Sequence, residues 1–161
     1  MVYIVICGVL LGIFILKLKD EFHSQNYASK ERKKRKSILE DIYGDLVHLF
    51  YYKKPGKFIG PLAPLNDLNI LNNLVMVEDN ESYTINKKVI HLCTKDPQNG
   101  TYYDRNTLMF VVLHELAHVL CTDVGHTDNF SIINQALLDH AIRCRFYDPS
   151  KPFVENYCKL K

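Results

Sequence analysis

The sequence predicts an α+β fold, with a small sheet beside a central helix, a second helix after it and one apolar segment ahead of it. Three observations carry that prediction. The run "TLMFVVLHELAHVL" (107–120) is apolar nearly all round, as a helix buried on every side must be. "SYTINKKVIHLCTKD" (82–96) sets β-branched and aromatic residues on either side of "NKK", the pattern of two strands joined by a turn. "NFSIINQALLDHAIRC" (129–144) repeats Phe130, Ile133, Leu137, Ala141 and Cys144 at helical spacing, so that one face is apolar.

In chain order, the amino-terminal "MVYIVICGVLLGIFIL" carries no charge, and Lys17 and Lys19 follow it at once. That composition predicts a single transmembrane helix within residues 1–19, short but extended by two lysines that can snorkel to the headgroups. A cleaved signal peptide fits less well, because no basic residue precedes the run and no small-x-small site follows it. Residues 20–36 are polar and include "KERKKRK", so they predict a basic juxtamembrane linker, solvated or drawn to anionic headgroups. With all that positive charge after the span, the positive-inside rule puts the remaining domain, 37–161, in the cytosol. The five cysteines form no CxxC pair and are expected as reduced thiols, in keeping with that side; sequons at Asn80, Asn99 and Asn129 would be glycosylated on the other.

The domain opens with "SILEDIYGDLVHLFYY" (37–52), whose Ile38, Leu39, Ile42, Leu46, Leu49 and Phe50 recur at helical spacing behind a capping box of Ser37 and Glu40. "KKPGKFIGPLAP" is expected as a loop, and a short helix follows over about residues 66–74. The hairpin comes next and "DPQNG" turns the chain. Asp104 or Asn106 can cap the central helix, Gly125 lies in the break after it, and Thr127 can cap the amphipathic helix. The tail from Phe146 reads as an irregular closing segment. His48 and His91 are expected as ordinary helix and strand residues, and His140 as a surface residue.

A total of 161 residues suits one domain with its own core, and a net charge of +2 gives no whole-chain reason to bind nucleic acid. The chemistry is concentrated in "HELAH". His114 and His118 are four apart on a helix, so both imidazoles leave the same face and can meet one cation. Glu115 stands beside the first ligand, where it can take a proton from a water that the metal activates. A catalytic zinc asks for a third ligand and an open position. His126 is the best candidate, after a glycine and before a capped helix; Cys121, Asp123 and Asp128 are rivals, and Asp128 is also placed to orient a ligand histidine.

At these residues the sequence resembles the zincin metallopeptidases, and more narrowly the WLM/SprT-like group, through "HELAH" (114–118) and "GHTDNF" (125–130). The resemblance spans about residues 83–141 and extends to membrane-anchored members of that group encoded by large DNA viruses. It implies a minimal zincin-like domain, zinc held by His114, His118 and His126, Glu115 as general base, and an edge strand that takes extended peptide beside the metal. Seven residues separate His118 from His126, more than that group usually shows. Metzincins differ, because the glycine and histidine they place after the second ligand would fall on Cys121 and Val124.

The expectation is therefore a membrane-anchored zinc endopeptidase acting on a protein or peptide, in a host-cell or virion membrane if the viral likeness holds. The alternative is a non-catalytic, zinc-stabilised interaction protein tethered to the membrane. Nucleic acid is not an expected partner, and nothing in the sequence sets an oligomeric state.

Overall fold

The computed structural model describes Lys17, Lys19, residues 38–54 and residues 56–159. The expected anchor and linker, and the Ser37 half of the capping box, fall outside the described residues apart from the two lysines. Among the described residues no helix is long and apolar enough to cross a membrane. The chain divides into two units, Met1–Ser37 and Ile38–Lys161, and the second carries every element below.

Helix α1 (residues 38–47) runs into a π-helical turn, His48–Tyr52, and buries Ile42, Leu46, Leu49 and Phe50. The expected loop after it is partly helical, because Pro61 pre-sets the backbone of a 3₁₀ helix, Gly60–Asn66, whose Leu62 and Leu65 enter the core. Helix α2 is only Leu68–Asn72, since the Asp67 carboxylate accepts from the Asn69 amide and fixes its start.

The sheet has three strands: β1 (Val75–Glu78), β2 (Tyr83–Ile85) and β3 (Val89–Leu92), in the order β1-β3-β2. The expected hairpin is β2 and β3, antiparallel, with Tyr83 opposite His91 and Ile85 opposite Val89. Strand β1 was not expected; it lies parallel to β3 with Val75 opposite Val89. Ile90 and Leu92 point inward, fully buried, while Val75, Val77, Tyr83 and Ile85 remain partly exposed on the outer face. The fold is thus mixed α+β with one small sheet.

Helix α3 (Arg105–Leu120) starts where the Asp104 carboxylate accepts from the amides of Asn106 and Thr107, one of the two expected caps. Its Leu108, Met109, Val112, Leu113, Leu116 and Ala117 are all buried, because the helix packs on β2 and β3 with one side and on α4 with another. Helix α4 (Asp128–Arg143) buries the expected stripe Phe130, Ile133, Leu137 and Ala141. An ion pair between Arg105 and Asp45 ties the start of α3 to α1.

Two expectations fail. Cys93 and Cys158, 65 residues apart, form a disulfide that fastens the tail to the end of β3, so these two are not reduced thiols; Cys121 and Cys144 are free. The pairing withdraws the cysteine argument for a cytosolic domain and leaves the charge argument alone. His140 is not on the surface but 3% exposed, stacked on Phe50, with Nε2 at 3.1 Å from the Leu49 carbonyl.

Candidate metal centre

The buried helix α3 presents His114 and His118 on one face, one turn apart. Cys121 leaves the helix in an extended conformation, and Gly125, at φ +82°, makes the turn that sends the chain back across the helix end. Thr127 then fixes the return twice. Its hydroxyl donates to Asp123 Oδ2 at 2.9 Å and accepts from the Phe130 amide at 3.2 Å, starting α4 as expected. His126 is held between these two restraints.

Three imidazoles converge as a result. His126 Nε2 lies 3.0 Å from His114 Nε2 and 3.2 Å from His118 Nε2. Two nitrogens sharing a tetrahedral zinc at ~2.0–2.1 Å would sit roughly 3.3 Å apart. One proton on His126 Nε2 cannot serve both contacts well, so lone pairs are left facing each other, an arrangement a cation relieves. His114, His118 and His126 can therefore hold a metal ion. Phe130, 3% exposed, is the floor of the cluster: its ring stacks on His118 at 4.2 Å and meets His114 and His126 edge-on at 5.0 and 4.8 Å.

Burial governs the protonation of these groups. It pushes His114 down to about 4, with help from the neighbouring imidazoles. Burial lowers His118 too, reinforced by His126 and Lys87. Both rings are accordingly neutral, and ready to donate lone pairs, at neutral pH. Glu115 is only 4% exposed, and burial raises its carboxyl above the usual range, partly opposed by Thr84, whose hydroxyl donates to Oε2 at 2.8 Å. A carboxylate raised in this way is a better proton acceptor than a free surface one.

A cleft of about 470 Å³ opens over these residues, walled by Thr84 and Lys87 on the hairpin side and by Asp123 to His126 on the loop side. A second cavity of about 380 Å³ shares His114 and Glu115 and is lined by Phe110, Val111 and Tyr157. Burial pushes Tyr157 up to about 12; its hydroxyl donates to the Cys93 carbonyl and meets the Ser82 hydroxyl at 3.0 Å.

Two of the rival ligands, Cys121 and Asp123, are engaged elsewhere. Cys121 is 1% exposed and its sulfur accepts from Asn129 Nδ2. The Asp123 carboxylate is taken by Thr127, whose hydrogen bond also holds its pKa low. Asp128 opens α4 and is not among the groups whose ligand atoms converge. His48 rings against Tyr52 and Phe146, and His91 Nδ1 meets Asp79 Oδ2 at 2.8 Å. Sequence reasoning missed Thr84 and Lys87. Thr84 could be read as the inward residue of an alternating strand, but nothing local indicated that it meets a carboxylate 31 residues away.

Comparison with known proteins places the chain beside viral relatives. It is 58% identical over 160 residues to "Uncharacterized protein 042R" of Invertebrate iridescent virus 3, covering 99% of this chain and 100% of that protein. The chain belongs to the 042R family. It is 53% identical over 104 residues to "Uncharacterized protein 136R" of Invertebrate iridescent virus 6, covering 63% of this chain and 58% of that one. It is also 33% identical over 120 residues to "Uncharacterized protein R325" of Acanthamoeba polyphaga mimivirus, covering 71% of this chain and 57% of that one. No family model matches the chain, and no solved structure gives a significant match.

Proposed function

We propose that the protein is a zinc-dependent endopeptidase of the WLM/SprT-like zincin type, anchored to a host-cell or virion membrane by its amino-terminal segment. The observation that supports this most is the convergence of His114, His118 and His126 with buried Glu115 alongside, at the bottom of an open cleft. The donor set suits zinc: three imidazoles, those of His114 and His118 kept neutral by burial, with an approach left open on the cleft side.

Zinc bound there would supply a Lewis acid that activates a water and polarises a carbonyl. The residues of the chain do the rest. Glu115 takes a proton from the attacking water and later delivers it to the amide nitrogen, so that the C–N bond breaks to a carboxylate and an amine. Thr84 holds the Glu115 carboxylate toward the cleft throughout. Strand β2 borders the cleft and is an edge strand, so an extended peptide can add to it as a further strand.

The test uses full-length protein in detergent micelles, loaded with zinc and offered a fluorogenic peptide library. Glu115→Gln is expected to keep its zinc and lose ~10²–10⁴-fold in turnover. Turnover retained in that variant would remove Glu115 from the mechanism. If the zinc-loaded wild type cuts no peptide, and zinc removal unfolds it, the tethered interaction protein is the better reading.

A further inference from the structure

The tip of the β2–β3 hairpin is built from Asn86 and Lys87, at φ +52° and +55°. Two consecutive left-handed residues make a turn of the type that glycine or asparagine favours, and a lysine there is conformationally costly. This lysine reaches across to the metal loop. Its Nζ donates to the Cys121 carbonyl at 2.6 Å and to the Asp123 carbonyl at 2.8 Å, bonds that join positions 34 and 36 residues apart. The first of these acceptors caps α3 directly after Leu120 and three residues after His118, where the helix dipole favours a cation. The second lies three residues before His126.

We propose that Lys87 is a positioning residue for the metal centre: it clamps the loop 121–126 to the hairpin and so sets where the third imidazole stands. The inference rests on the reading of the three histidines as metal ligands. Three restraints then define the loop. Lys87 holds its start and its middle, Gly125 makes its turn, and Thr127 holds its end to Asp123. Without the clamp, Cys121 and Asp123 lose their shared donor, and His126 must be ordered at the moment the metal binds. The same side chain ties β2, the strand that borders the cleft, to the loop that carries a ligand.

Simple charge repulsion gives the opposite sign. Lys87 lines the cleft, and an ammonium near a bound cation weakens binding, so its removal would tighten the site if repulsion prevailed. The positioning role requires that removal loosen it.

The experiment measures the zinc dissociation constant of the full-length chain by chelator competition, and the visible spectrum of the cobalt-loaded chain. Lys87→Met keeps most of the apolar stem and removes the charge; Lys87→Gly also suits the left-handed turn, which keeps the hairpin foldable. Both are expected to raise the dissociation constant ~10–100-fold and to change the cobalt spectrum, while Lys87→Arg recovers most of the affinity. His140→Ala, a destabilising change away from the centre, is the control for a merely structural loss and is expected to leave affinity and spectrum unaltered. Affinity unchanged or tighter in Lys87→Met and Lys87→Gly overturns the role of Lys87 alone. No metal uptake by the folded wild-type chain overturns the metal-centre reading and this inference with it.

Discussion

Two clusters of imidazole chemistry, one buried around His140 and one half-open around His114, His118 and His126, are built on opposite plans. His140 is stacked on Phe50, edge-on to Phe58, and close to the Leu49 carbonyl, so its ring nitrogen has a partner within the fold. His114, His118 and His126 share Phe130 as an aromatic floor, but their Nε2 atoms face one another. Burial lowers the pKa of His140 just as it lowers that of His114 and His118. Desolvation therefore does not distinguish structure from site. Satisfaction does: the His140 ring has its partner within the fold, whereas the three facing imidazoles could hold a metal ion.

The contrast is sharpest in stability. His140→Ala leaves a cavity between Phe50 and Phe58 and an unpaired Leu49 carbonyl, and is expected to cost roughly 2–4 kcal/mol in denaturant unfolding. His118→Ala in the metal-free chain removes a ring from a crowded, half-open site and is expected to cost under about 1 kcal/mol. Equal costs would erase the distinction between the clusters.

Acid provides a second comparison. His114 has a folded pKa of about 4 against an ordinary 6.5, so below 6.5 the unfolded chain binds the extra proton. The metal-free protein should hold constant stability from this group above pH 6.5 and lose it progressively toward pH 4, by about 2 kcal/mol after allowance for partial exposure. Urea midpoints between pH 7 and pH 4 check this, and His114→Ala should flatten the profile. A profile as steep in that variant would assign the acid sensitivity elsewhere.

The smallest effect concerns the glutamate. Thr84→Val removes a hydroxyl that stabilises the Glu115 carboxylate, so the Glu115 pKa should rise further and the acid limb of peptide turnover should move to higher pH. Stability should fall by about 1 kcal/mol. An unmoved acid limb would mean that Thr84 does not tune the base.

Much of the metal cluster was legible because its causes are local. The i, i+4 spacing of His114 and His118, the Asp104 and Thr127 caps and the glycine before His126 each act within a few residues. What escaped depends on distant pairings. Strand β1 is only four residues long and has meaning as a strand only beside β3 in parallel. The Lys87 clamp, the Thr84 hydrogen bond and the Cys93–Cys158 bridge join segments 31 to 65 residues apart. His140 misled for a related reason. Its helix is amphipathic, but Phe50 and Phe58 arrive from elsewhere in the chain to cover it.

Zinc content per chain, measured on full-length protein after dialysis against a weak chelator, tests the central claim most directly. The wild type and His140→Ala should each retain one zinc, and His126→Ala should retain essentially none. Folded wild type without zinc, or His126→Ala with as much as the wild type, would contradict the assignment of the three histidines as a metal centre.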